Sequence, residues 1–224
     1  MPRTVITGAS RGIGRALAIE LAGRGHEVLA LCRKPVAATG LADIERVTVR
    51  GLDVASPVAL HSFATSFDGT LDVLVNNAGI AGGKLRDNLS EADFRMADEV
   101  FRVNAVAPLL LTRLLADRLA PGALVVNVTS ILGSNAENTS GGMAIYRASK
   151  AALNSITRTL AAELGPNGVT VLAVHPGWVR TDMGGPSATI DTETSARGIG
   201  QIIADADPSR NGVYLDWKGD SLPW

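Results

Sequence analysis

The chain has one cysteine in 224 residues, Cys32, so it cannot form an internal disulfide and suits a reducing compartment. Cys32 ends a predicted strand, where a small core thiol is expected rather than a reactive one. Charge of either sign is not in excess: the formal net charge is −1 and no lysine- or arginine-dense tract occurs, which argues against nucleic acid as a partner. No apolar stretch reaches the ~18 residues of a membrane span. The three histidines, His26, His61 and His175, lack the mutual spacing and carboxylate partners of a metal site, so no metal is expected. Internal repeats, low-complexity segments and linkers are also missing. Pro2 to Val5 already enter the first predicted strand, leaving no room for a leader peptide; the expectation is a soluble, cytoplasmic protein.

What remains is a chain that is 46% hydrophobic, enough for one domain spanning 1–224 with an ample core. Apolar runs and helical patterns alternate along it. Strands are predicted at Arg3 to Thr7, Glu27 to Cys32, Arg46 to Gly51, Leu71 to Asn76, Ala123 to Thr129, Thr170 to Val174 and Gly212 to Asp216. Helices are predicted at Gly12 to Arg24, Pro57 to Ser66, Glu91 to Leu119, Ala144 to Leu164 and Thr192 to Asp205. Continuous runs such as Leu124-Val125-Val126 suit strands buried on both faces. The alternation specifies an α/β fold, a doubly wound parallel sheet of about seven strands with helices on both faces. The irregular stretches Ser134 to Gly142 and Gly184 to Asp191 follow carboxyl ends of strands, the edge where such sheets bind ligands.

Two motifs carry chemistry. Val5-Ile6-Thr7 runs into Gly8-Ala9-Ser10-Arg11-Gly12-Ile13-Gly14 and then into a helix, the strand–turn–helix context of a phosphate loop. Gly8 permits the tight turn, Gly12 close approach of a pyrophosphate, and Gly14 close packing of helix on sheet. The spacing is Gly-x3-Gly-x-Gly, not the general Gly-x-Gly-x2-Gly. Farther on, Tyr146 and Lys150 stand at i and i+4, on one helical face, with Ser130 at the end of an apolar run upstream. A fixed cation beside a phenol favours the phenolate, so Lys150 is expected to depress the Tyr146 pKa and make it a proton donor and acceptor near neutral pH. Asn104, a poor helix former, interrupts a long helical pattern.

With Asn76-Asn77-Ala78-Gly79 and Pro176-Gly177-Trp178-Val179-Arg180-Thr181-Asp182-Met183, these motifs occur in the order seen in short-chain dehydrogenases/reductases, which the chain resembles over nearly its whole length. The ending Tyr214 to Trp224 is similar to that of the branch containing C-factor and sniffer-type carbonyl reductases. The resemblance implies a Rossmann-type domain, a catalytic set of Asn104, Ser130, Tyr146 and Lys150, and a nicotinamide cofactor. It implies that Tyr146 protonates the carbonyl oxygen, Ser130 orients it, Lys150 binds the nicotinamide ribose, and Asn104 kinks its helix and holds a water of a proton relay. Gly8, Ser10, Arg11, Gly12, Ile13 and Gly14 would hold the phosphates. Asp53 would accept from the adenine amino group with Val54 beside it; Asn76, Ala78 and Gly79 would line the adenosine ribose, a mainly structural role; Val179 and Thr181 would hold the carboxamide. A dimer or tetramer is implied. Ser130 and Tyr146 are sixteen positions apart, more than is most common in the family, and the polar stretch Asn135 to Gly142 absorbs the excess. Ser134 is a rival for the serine; Ser130 is preferred because it directly ends its strand.

The second predicted strand ends without a carboxylate and continues into Arg33-Lys34, so the acidic clamp of an NAD site is missing. Arg33, with Arg11, could grip a 2′-phosphate, which favours NADP (NADPH) over NAD. The expected activity is reduction of a small or medium aldehyde or ketone. An alcohol dehydrogenase working oxidatively, and a cofactor-binding signalling or sensor protein with little turnover, are the alternatives.

Overall fold

The computed structural model describes residues 1–83 and 90–224. Its centre is a seven-stranded, all-parallel sheet in the order β3-β2-β1-β4-β5-β6-β7. The strands are β1 (Arg3–Thr7), β2 (Glu27–Cys32), β3 (Val47–Gly51), β4 (Leu71–Asn76), β5 (Leu119–Val128), β6 (Thr170–His175) and β7 (Tyr214–Asp216). Among the described residues, six α-helices connect or flank them: α1 (Gly12–Gly23), α2 (Pro57–Thr65), α3 (Glu91–Phe101), α4 (Ala107–Leu114), α5 (Ala144–Leu164) and α6 (Thr192–Ala204).

Side chains alternate across a strand, and here both faces are apolar. Ile6, Val126, Leu172 and Val174 point into a core shared with Leu17 and Leu21 of α1 and Ile199 and Ile203 of α6. Their neighbours Val5, Val125 and Val171 point the other way, against Leu60 and Phe63 of α2, Leu111 of α4 and Leu160 of α5. Cys32 belongs to the first core, as its strand-end position suggested. The strand order reverses at β1, whose neighbours are β2 and β4, so the loops on either side diverge and open a crevice at the carboxyl edge.

The long helical pattern from Glu91 to Leu119 is not one helix. α3 ends at Phe101, a π-turn spans Arg102–Val106, α4 follows, and a 3₁₀ turn covers Ala116–Arg118. Leu119 already pairs with Leu71, so β5 starts earlier than its apolar run indicated. A π-turn inserts one extra residue into the helical ladder. The residue at its centre is Asn104, which is fully buried.

Candidate active site

The carboxyl ends of β1, β2, β4, β5 and β6 open onto one groove of about 1360 Å³. Its floor at one end is the turn between β1 and α1. Gly8 (φ 69°) and Gly12 (φ 57°) adopt left-handed backbone conformations that other residues rarely accept. A Cβ on Gly8 would lie 2.8 Å from the Ala78 Cα, and one on Gly14 would lie 2.4 Å from the Asn77 Nδ2 and 2.5 Å from the Gly8 carbonyl oxygen. Gly14 is therefore needed for contact with Asn77, a more specific demand than packing helix on sheet. Thr7 completes this joint: its hydroxyl accepts from the N–H groups of Asn77 and Ala78, both at 3.0 Å. The start of α1 has neither a side-chain cap nor an acidic residue in its first turn, leaving the positive end of the helix dipole open to an anion. A stripped backbone cradle at an uncapped helix start fits a dinucleotide pyrophosphate.

Around this cradle the groove is lined by Ser10, Arg11, Ile13, Arg33, Lys34, Asp53 and Val54. Arg33 and Lys34 are exposed and form no ion pair among the described residues. Arg11 is exposed too, and its guanidinium pairs with Asp182 on the loop after β6. Asp53 accepts from the Ala55 N–H at 3.0 Å.

At the other end lie Ser130, Tyr146 and Lys150 with Ala78, Gly79, Val179 and Thr181. Tyr146 and Lys150 project from α5 onto the same face and are 9% and 4% exposed. The Lys150 ammonium donates to the Val128 carbonyl at 2.8 Å and sits 5.9 Å from the centroid of the Tyr146 ring. The expectation that Lys150 depresses the phenol does not hold in this geometry: burial pushes the Tyr146 pKa up, and the opposing influence comes from the Ser130 hydroxyl against it. Burial also pulls Lys150 down, to about 8. Both groups are biased toward their neutral forms because a dry site penalises charge. Ser130, at the end of β5, accepts from the Leu132 N–H at 3.2 Å through its own hydroxyl.

Asn104 does not line the groove. Its amide clasps the main chain of Ile80 from both sides, accepting from the N–H and donating to the carbonyl at 2.8 Å each, and also donates to the Ser149 hydroxyl at 3.0 Å. Asn76 does not line the groove; only the structural side of the role implied for it is seen. It is 2% exposed and donates to Thr112 (3.1 Å) and Asn127 (2.8 Å) behind the sheet. Asn77 stands at the groove in its place.

The family model for short chain dehydrogenases matches residues 3–190. The chain belongs to the short-chain dehydrogenase/reductase family. C-signal of Myxococcus xanthus is 42% identical over 168 residues, covering 74% of this chain and all of that protein. Among solved structures, the carbonyl reductase Sniffer of D. melanogaster superposes with a TM-score of 0.91 at 32% identity, covering all of both chains. The NADPH-bound carbonyl reductase from chicken fatty liver gives 0.90 at 29% identity, covering all of this chain and 99% of that one. Members of the family are NAD(P)-binding oxidoreductases acting on CH-OH or C=O groups, and the sniffer-like branch suggested by the ending of the chain is supported by these neighbours. Among the described residues of this dehydrogenase/reductase, no helix is long and apolar enough to cross a membrane.

Several residues at or beneath the groove of this family member were not singled out from sequence. Thr7 and Asn77 hold the glycine turn, Arg15 lines the phosphate end, and Leu132, Met143 and Met183 line the reaction end. A sequence signal existed for Asn77: on β4, Asn76 shares parity with Leu74 and so faces the α2/α4/α5 core, which turns Asn77 to the opposite side. Trp178 lies at the mouth, half exposed, its indole N–H donating to the Gly184 carbonyl at 2.9 Å. His175 is outside the groove lining; its Nδ1 is buried without a hydrogen-bond partner among the described residues, and burial drives its pKa to about 4.

Proposed function

We propose that this chain is an NADPH-dependent carbonyl reductase for small or medium, weakly polar aldehydes and ketones. The observation that carries the reading is one continuous groove with Arg33 and Lys34, without an ion pair among the described residues, at its outer end and Ser130, Tyr146 and Lys150 at its inner end. Gly8 to Gly14 and the start of α1 would hold the pyrophosphate, Arg33 and Arg11 the 2′-phosphate, and Asp53 with Val54 the adenine side. Ala78 and Gly79 would line the adenosine ribose. Val179 and Thr181 would hold the carboxamide, and Thr181 is itself fixed by the Gly184 N–H, 3.1 Å from its hydroxyl. When bound, the nicotinamide supplies a hydride to the carbonyl carbon.

Tyr146 gives its phenolic proton to the substrate oxygen. Its raised pKa keeps that proton in place at neutral pH, which suits reduction better than alcohol oxidation. Ser130 binds the same oxygen and keeps it within reach of the phenol. Lys150, anchored on Val128, would hold the nicotinamide ribose hydroxyls. Met143, Trp178 and Met183, each about half exposed at the mouth, offer an apolar surface to the rest of the substrate. The protein works in the cytoplasm as a dimer or tetramer, its exposed Phe94 and Val106 supplying apolar contact surface.

The test is consumption of NADPH and NADH across a panel of aldehydes and ketones. NADPH oxidation with some of them, and much slower NADH oxidation, supports the reading. The relative named C-signal favours a second one, a cofactor-binding signalling protein with little turnover. Tight NADPH binding with no nucleotide consumed by any carbonyl would establish that alternative, and turnover only with alcohols and NADP⁺ would reverse the direction.

A further inference from the structure

Ser130 lies in a segment, Thr129 to Ala136, whose regular structure is limited to the 3₁₀ turn Ile131–Gly133. Such a segment holds a fixed position only if its surroundings hold it. Two elements do so, using residues outside the catalytic set. From α5, Asn154 accepts the Thr129 hydroxyl at 2.7 Å and donates to the Gly133 carbonyl at 3.1 Å, gripping both ends of the serine turn. Asn154 follows Lys150 by four residues, so the helical face that carries the phenol and the ammonium also carries this clamp. The fit is close: a Cβ on Gly133 would lie 2.8 Å from the Lys150 carbonyl carbon.

From the other side, Tyr214 of β7 donates its hydroxyl to the Ser130 carbonyl at 2.7 Å; this carbonyl also receives the Gly133 N–H, at 2.7 Å. The chain then turns at Asp216–Asp220 and returns, with Leu222 bonded to Tyr214. Trp224 thereby stacks on the Tyr214 ring, with centroids 5.2 Å apart. The Trp224 main-chain oxygen receives the Ser134 hydroxyl (3.1 Å) and the N–H groups of Asn135 (2.9 Å) and Ala136 (3.3 Å). Asn154 and Tyr214 are 4% and 1% exposed, so water cannot readily replace these bonds.

We propose that Asn154 and Tyr214, the latter braced by Trp224, are positioning residues that set the Ser130 hydroxyl against the Tyr146 phenol. Its consequence for turnover rests on the reductase reading; the geometry does not. Displacement of an orienting group by 1 Å costs about 10²-fold in rate. Because the Ser130 hydroxyl is what holds the Tyr146 pKa down against burial, loosening it also moves the phenol's ionisation to higher pH. The other titratable groups near the phenol are Lys150 on α5 and Tyr214 on β7, with Glu137 beyond Tyr214.

Tyr214→Phe is the decisive variant, since it removes one oxygen and keeps the ring and its stack on Trp224. Expected are a ten- to hundredfold fall in kcat, a KM and Kd for NADPH within about twofold of the parent protein, and a rise in the Tyr146 pKa followed by NMR of ¹³C-labelled tyrosine rings. Asn154→Ala is expected to do the same. If Tyr214→Phe does not fold, Trp224→Leu, made at the partly exposed brace, takes its place with the same readouts. Unchanged kcat and unchanged Tyr146 titration in a folded variant overturn the proposal. If the parent protein reduces no carbonyl, the reductase reading fails, and the Tyr146 titration by itself still decides: a rise supports positioning, no movement overturns it.

Discussion

The outer end of the groove displays Arg11, Arg33 and Lys34 to solvent, whereas the inner end encloses Tyr146 and Lys150 and biases both toward neutrality. The two ends therefore depend on different physics. Outside, a cation keeps its hydration and its charge, and what matters is where an anion can meet several of them; salt weakens the effect. Inside, desolvation dominates, and a group's value lies in which proton it holds. Selectivity for a phosphate can thus be altered by single surface substitutions, while proton transfer depends on packing.

The largest effect expected is at the inner end. Tyr146→Phe should lower kcat by about 10³-fold while leaving NADPH affinity within a few-fold, measured by turnover and fluorescence titration. A comparable loss of NADPH affinity would mean that the phenol serves binding more than proton transfer.

Lys150→Met should stabilise the cofactor-free protein. An unfolded lysine keeps its proton to about 10.5, but the folded one releases it near 8, so between those values the unfolded state binds more protons and stability climbs with pH. Burying the charge costs up to about 3 kcal/mol below pH 8. Denaturant midpoints of Lys150→Met should be higher at pH 7 and should lack the rise between pH 8 and 10.5. An identical pH profile in both proteins would show that Lys150 is not desolvated in solution.

Arg33→Asp tests the outer end. A charge-assisted bond of about 1.5–3 kcal/mol should vanish, weakening NADPH binding by one to two orders of magnitude, with NADH changed only a few-fold. Equal losses for both nucleotides would remove the basis for the 2′-phosphate assignment. The smallest effect belongs to Asp182→Asn. Its pair with Arg11 is exposed on both sides, so thermal stability should be nearly unchanged. Freed Arg11 should tighten NADPH binding by a few-fold at low salt, and the difference should fade at high salt.

How much could be read from the chain follows the same division. The bounds of β1, β2, β4 and α5 coincide with the apolar runs and periodicity because local punctuation, such as Gly8 after β1, marks them. The break at Asn104 was visible as a poor helix former, but the π-turn itself depends on Ile80 and Ser149, which arrive from distant parts of the chain. Strand parity would have separated Asn76 from Asn77, and the i+4 step from Lys150 would have flagged Asn154; neither step reveals the partner that each residue meets.

By itself, then, the sequence determined the parallel α/β architecture, the glycine turn and the coincidence of Tyr146 with Lys150 on one helical face. These rest on periodicity, backbone permissiveness and helical spacing, which are local properties. Only the tertiary structure decided that Tyr146 is raised and not lowered, that Asn77 replaces Asn76 at the groove, and that Tyr214 and Trp224 brace the Ser130 turn. Those outcomes depend on what surrounds each group, because burial and hydrogen-bond partners come from segments far apart in the chain.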